Sequence, residues 1–208
     1  MSSVTFQSLP EDWDLLKRAR TEPEMAENLQ FLHKLAGPVL EKTDTDPNQW
    51  FHSEAERYFY ETARSLFAAQ PDFEKRFLYI DGLRWDAIIY LLSEDRRRGG
   101  QKNDDSPIAR AIFGSEPLNP ETFRDTDIQS GYLSPTQVMQ INTFLAGVTV
   151  DHLFINFDPN LMYQRQVALI YPHTEFKFIW YEFVQIQGFY QAATIRKDAI
   201  VTFIDYSR

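Results

Sequence analysis

Cysteine is absent from the chain, which removes disulfides, thiolate metal sites and cysteine nucleophiles together and fits a reducing compartment. No apolar run approaches the ~18 positions that a membrane span needs. The opening stretch MSSVTFQSLPEDWDLLKR lacks a basic segment followed by an apolar one, so no secretory leader is expected. A soluble, cytoplasmic protein is the expectation. Basic charge is also short, with 21 Lys and Arg against 30 Asp and Glu and a formal net charge of −9. Such a field repels phosphate backbones and anionic lipid, so neither nucleic acid nor a membrane is an expected partner, whereas a basic protein surface is what it would steer in.

Chemistry-bearing motifs are scarce. The four histidines, His33, His52, His152 and His173, show no HxH, HxxxH or HExxH spacing that would set two imidazoles on one face, so no metal is expected. No GxSxG elbow is present to present a serine nucleophile. Gly99-Gly100-Gln101-Lys102 lacks the outer glycine and the hydroxyl residue of a phosphate loop. Asp44-x-Asp46-x-Asn48 starts like a calcium loop, but Gln49 replaces the turn glycine and Ala55 stands where the bidentate glutamate belongs. Arg96, Arg97 and Arg98 form the one basic cluster, and Glu94, Asp95, Asp104 and Asp105 offset it. Asp125 and Asp127 could do acid–base work only if the fold set two carboxylates at a suitable separation; a solvated loop is the default. No cofactor, metal or catalytic residue is therefore assigned.

What is present is apolar periodicity with clear punctuation. A chain of 208 residues buries roughly 70% of its unfolded surface and needs no staple. Aromatic residues make up 15% of it, a surplus that serves a core and suits an interface. Trp85, Ile88, Ile89 and Leu92 recur at helical spacing behind Asp81 as a cap, with Ala87, Tyr90 and Leu91 widening the stripe, which predicts a central helix; a buried strand is the alternative. Ser106-Pro107 opens a second helix closed by Gly114, and Ser134-Pro135 with Gln137 opens another. Ser8 to Glu11, Thr21 to Glu24 and Ser53 to Glu56 each match a capping box. Thr149 is a further cap, and Asp158-Pro159 breaks the pattern again. From Thr174 to Lys197 apolar residues fit both periods, and length favours a helix despite Gly188. Ser3 to Gln7, Phe77 to Ile80 (or a buried connector) and Ala199 to Ile204 read as strands. The fold class expected is α+β, mostly helical, one domain over residues 1–208, with a small sheet that includes strands near both termini.

The ordered set Asp81…Trp85-Asp86…Tyr90-Leu91-Leu92, Ser106-Pro107-Ile108-Ala109-Arg110-Ala111-Ile112-Phe113-Gly114, Gly131-Tyr132-Leu133-Ser134-Pro135…Val138 and Gly188-Phe189-Tyr190…Ala199-Ile200-Val201 resembles the YfbM-like family, DUF1877, a bacterial domain of unknown function. The resemblance covers roughly residues 78–204, with residues 1–77 as a loosely matching helical part. It implies a cytoplasmic α+β protein without an assigned reaction. Family members often carry a histidine at the position that is Ile89 here, which argues against a histidine-dependent activity. Trp85, Asp86, Arg110 and Tyr132 are the candidate binding residues. Arg110 stands out because a charge beside an apolar core either pairs with a carboxylate or lines a pocket.

The functional expectation is a non-enzymatic protein-binding module, of inhibitor or immunity type, for a basic protein. The rival is a hydrolase or transferase built on carboxylates and Arg110 in a cleft. Homo-oligomerisation is a third reading.

Overall fold

A computed structural model describes residues 3–32, 53–69, 72–81, 84–93, 106–123 and 126–206. Four strands, β1 (Ser3–Pro10), β2 (Phe77–Asp81), β3 (Ile128–Leu133) and β4 (Asp198–Asp205), form one antiparallel sheet in the order β2-β1-β4-β3. The two terminal strands are thus neighbours at its centre, in register from Ser3 opposite Asp205 to Pro10 opposite Asp198. Nine α-helices are present among the described residues: α1 (Asp14–Ala19), α2 (Pro23–Gln30), α3 (Glu54–Ala69), α4 (Arg84–Leu92), α5 (Pro107–Phe113), α6 (Pro135–Ala146), α7 (Val150–Phe154), α8 (Pro159–Gln164) and α9 (Phe176–Arg196). A 3-10 turn, Phe73–Arg76, leads into β2. The α+β class with strands near both ends is what the pattern predicts.

Alternation along the strands sends side chains to two cores. Val4, Phe6, Ile80, Leu133, Ile200 and Ile204 meet α4, α5, α6 and α9 on one face. Leu9, Tyr132, Ala199, Val201 and Phe203 meet α1, α2 and α3 on the other. Antiparallel sheets often leave one face to water; here helices cover both, which is why β4 is mostly apolar on both faces, with Thr202 the one polar residue between its terminal aspartates. Residues 85–91 of α4 are all buried, Asp86 included, as expected of a helix that is apolar on nearly all sides, and the strand alternative for this stretch falls.

Local signals decide several elements. Ser106 accepts from Ala109 N at 3.2 Å, and Gly114 ends α5 at φ 77°, ψ 173°, a region open essentially to glycine. Gly131 on β3 is the matching close approach, since a Cβ there would stand 1.9 Å from Phe113 O. Ser134 with Gln137 and Thr149 with His152 form reciprocal capping boxes, and Asp158 caps α8. Ser53 accepts from Glu56 N at the start of α3. Helix wins from Phe176 to Arg196.

Three expected caps are corrected. Ser8 lies in β1, which continues to Pro10, and its hydroxyl donates to Asp198 Oδ2 at 2.6 Å. A tertiary partner 190 positions away outbids the local helix amides. Thr21 turns its hydroxyl back to Arg18 O, so α2 starts at Pro23 with no side-chain cap. Asp81 closes β2, and α4 begins at Arg84.

Candidate functional site

The four candidate binding residues are divided between the two cores. Trp85, 4% exposed, packs edge-on against Phe113 and Tyr206 at 5.5 and 6.4 Å. Asp86 is equally buried, and its Oδ2 accepts from Ala168 N at 2.8 Å. It holds the loop before α9, where Gln166 and Leu169 take positive φ. Arg110 is half-buried on α5. Tyr132 lies across the sheet, with the Arg20 guanidinium 4.2 Å above its ring and its hydroxyl donating to Glu11 Oε1 at 3.3 Å. Burial is the main cause that pushes the Tyr132 phenol up to about 12; Arg20 opposes it and Glu11 adds to it. Tyr132, Glu11, Leu16, Lys17, Arg20 and Thr21 line a cleft of about 270 Å³.

The most buried charges are structural. Asp198 is 2% exposed, and its Oδ2 accepts from Ser8 Oγ, Arg76 Nη1 at 2.5 Å and Arg196 Nε at 2.7 Å. Arg196 Nη2 also donates to Ser8 Oγ at 2.8 Å. This cluster ties β1, β4, the turn before β2 and the end of α9. Glu182, buried on α9, pairs with the half-exposed Arg84 at 2.9 Å.

A different region has the features of a docking site. The segment after α5 runs along β3 through the Glu116–Tyr132 bridge and is pinned by Asn119, whose Nδ2 donates to Ala19 O at 3.3 Å. Its carbonyl oxygen accepts from Glu121 N, closing the turn. Between this segment, β3 and the end of β4 opens a cleft of about 660 Å³, whose lining includes Phe113, Glu116, Phe123, Asp127, Ile128 and Tyr206. A second cleft of about 440 Å³ lies beyond α2 and is lined by Ser3, Thr5, Gln30, Phe31, Tyr79, Phe203 and Asp205. The two adjoin where Phe123 packs edge-on against Phe203 at 6.0 Å and where Ile128 pairs with Asp205. Among the described residues lining both, the charged ones are Glu116, Asp127 and Asp205, with no Lys, Arg or His. Glu116 also meets Arg20 at 3.0 Å. Arg110 and the α4 residues Trp85 and Asp86 line neither cleft.

These clefts were not legible as a site in the sequence. Their walls come from β1, the end of α2, Tyr79, residues 113–123 and 126–130, and residues 203–206, and the one available signal was the pair Asp125 and Asp127, read by default as a solvated loop. His152 serves as a helix cap, its Nδ1 accepting from Thr149 N at 3.2 Å, and His173 stacks on Tyr171. Among the described residues no group of three or more His, Cys, Asp or Glu could hold a metal. His33, His52, the Asp44–Asn48 loop, the Arg96–Arg98 cluster and Asp125 lie outside the described residues.

Architecture and site together define a three-layer α+β protein, helices on both faces of a four-stranded antiparallel sheet, with acidic clefts at one end of that sheet. The chain belongs to the family described as a domain of unknown function, DUF1877, whose model matches residues 39–203. The match starts well upstream of residue 78, where the residue pattern alone begins to resemble the family. Among solved structures the chain is similar to a protein of unknown function, YfbM from Escherichia coli, at 14% identity and a TM-score of 0.54, over 97% of this chain and 99% of that one. At that identity the likeness concerns the fold. No curated protein matches the chain. No helix of the described residues is long and apolar enough to cross a membrane.

Proposed function

We propose that the protein is a non-enzymatic binding module that takes up a basic segment of another protein in the two adjoining clefts at the end of the sheet. One observation carries this reading: among the described lining residues, aromatic walls alternate with Glu116, Asp127 and Asp205, and no cation is present. Arg and Lys side chains fit such walls twice over, with their stems and guanidinium planes on aromatic rings and their charges toward carboxylates. The formal charge of −9 steers the same partner at long range. An inhibitor or immunity-type role in the cytoplasm is in keeping with that preference. The rival, a hydrolase or transferase using Arg110, calls for Arg110 in a cleft with acids, and Arg110 lines none of the three clefts described.

The test is capture from native lysate on the immobilised chain at low salt, with stepwise salt elution, beside the variant Asp127→Lys/Asp205→Lys. A basic protein retained in stoichiometric amount, released by salt and bound at least tenfold less by the variant is the expected result. Absence of any stoichiometric partner at low salt, or equal capture by the variant, ends the proposal.

A further inference from the structure

Strand β3 is an edge of the sheet, and its hydrogen bonds show which of its main-chain groups face outward. Tyr132 O accepts from Ser115 N at 3.1 Å and Tyr132 N donates to Glu116 O at 2.8 Å, so both groups point away from β4. Just before the strand, Asp127 O accepts from Tyr206 N at 2.8 Å, so that carbonyl points toward β4. In an antiparallel ladder the two directions alternate along the chain, and these observations agree: Ile128, Ser130 and Tyr132 turn their main-chain groups outward. Glu116 and Ser115 take up those of Tyr132, after which the segment leaves the edge and buries Leu118 in the second core. Thr126 Oγ1 accepts from Ile128 N at 3.2 Å. Among the described residues no hydrogen bond takes up the amide or carbonyl of Ser130 or the carbonyl of Ile128. They face the cleft of about 660 Å³ that Ile128, Gln129 and Ser130 line. An open row of this kind is a template for another strand.

We infer that the occupant of this cleft adds to β3 as an extended strand of alternating basic and apolar residues; this rests on the proposed function and states how the cleft holds its guest. Main-chain groups aimed into a cleft call for a main-chain partner. The guest runs antiparallel to β3, in the sense of the Glu116–Tyr132 bridge, and one residue exchanges both hydrogen bonds with Ser130 while another donates to Ile128 O. Its side chains alternate between two walls. On the face of Gln129 stand Phe113, the exposed Asp127 and Tyr206, whose hydroxyl donates to Gln129 Oε1 at 3.5 Å. On the face of Ser130 stand Ile128 and Phe123, the latter packed on Phe203. The first wall takes Lys or Arg, with the stem on the Tyr206 ring and the charge toward Asp127. The second takes an apolar side chain. Directly opposed residues of an antiparallel pair share a face, so the apolar residues are the ones whose main chain bonds Ser130 and Ile128. A second copy fits poorly, because β3 on β3 would set one acidic cleft against another. The open edge spans three residues, about 10 Å, so the guest segment is short.

The probe is a labelled, end-capped heptapeptide of alternating Lys and Val, titrated with the full chain and followed by fluorescence anisotropy up to about 1 mM, a range that reaches weak binding. Two derivatives keep every charge and side chain: one carries N-methyl groups on its valines, the other on its lysines. Methylation of the valines removes the donors to Ser130 and Ile128 and blocks that edge of the peptide, so binding weakens at least tenfold. Methylation of the lysines alters the far edge, and binding is kept. Ser130→Pro removes an amide that points away from β4 and leaves the β3–β4 ladder whole, as proline on an edge strand does; it too binds the parent peptide at least tenfold more weakly, with a thermal melt showing that it is folded. The methylated peptides carry the test even where that variant does not fold. A valine-methylated peptide that binds as well as the lysine-methylated one, or no binding of the parent peptide at about 1 mM, would overturn the inference. If the valine- and lysine-methylated peptides bind alike while Asp127→Lys/Asp205→Lys loses them both, charge alone holds the basic segment: strand addition falls and the proposed function stands.

Discussion

Replacing Asp198 with Asn keeps the shape of the side chain and removes one charge from the point where β1, β4, α9 and the turn before β2 meet. Three donors converge on Oδ2, and the side chains of Arg76 and Arg196 are only 13% and 26% exposed. In the variant two guanidinium groups remain beside each other without their carboxylate. Breaking a buried pair by removing one partner costs about 3–5 kcal/mol, and the partial exposure of Arg196, which can turn toward water, favours the lower end. In a chain of this length each kcal/mol lowers Tm by about 2–4 °C, so Asp198→Asn melts ~6–12 °C below the parent. Urea unfolding followed by circular dichroism checks the same quantity, with an unchanged slope showing that the unfolded reference has not moved. Arg76→Gln leaves Asp198 with Arg196 and Ser8, and costs less. The double variant Arg76→Gln/Asp198→Asn relieves the exposed repulsion and is more stable than the sum of the two single losses by about 1 kcal/mol or more. A loss below about 1 kcal/mol for Asp198→Asn, or strict additivity in the cycle, would refute the reasoning.

Two glycines respond with opposite sign. Gly131→Ala drives a Cβ to 1.9 Å from Phe113 O and 2.6 Å from Thr202 Oγ1, so it destabilises by at least about 3 kcal/mol. At Gly188→Ala the new Cβ meets nothing within 4 Å, and the change stabilises the chain by about 0.5–1 kcal/mol; denaturant midpoints distinguish the two. Stability also falls above pH 10. Tyr132 ionises at about 12 in the folded chain, chiefly because it is buried, against about 10 when unfolded. Its contribution is therefore complete below pH 10 and is lost as pH rises toward 12. Tyr190, fully buried with its hydroxyl donating to Ala111 O at 2.6 Å, and Tyr206 shift in the same direction. Tyr132→Phe flattens the alkaline limb of a denaturation series; an unchanged limb contradicts the assignment.

Much of the fold was legible because its signals are local. Ser106-Pro107, Ser134-Pro135 and Thr149 announce helix starts through hydroxyls that reach amides three residues on, and no tertiary knowledge is needed to read them. That the sheet includes strands near both termini followed from β-forming residues at both ends of an otherwise helical chain; which strands pair, and in what order, did not. Ser8 and Thr21 carried the same signature and misled: the Ser8 hydroxyl goes to Asp198, far away in sequence, and the Thr21 hydroxyl turns back to Arg18 O at the end of the preceding helix. The candidate site failed to show for a related reason. Trp85 and Tyr132 sit in the same family-like pattern yet lie on opposite faces of the sheet, whereas Tyr79, Asp127 and Asp205, which share one end of it, are scattered along the chain.

Hydrogen exchange of the full chain, with and without the basic partner it captures, tests the acidic clefts most directly. The account predicts slowed exchange in residues 113–123 and 126–130 and at the end of β4, with α9 unaffected by that partner. Protection confined to α9 or to the Tyr132 cleft, with the segments around Glu116, Asp127 and Asp205 unchanged, would contradict it.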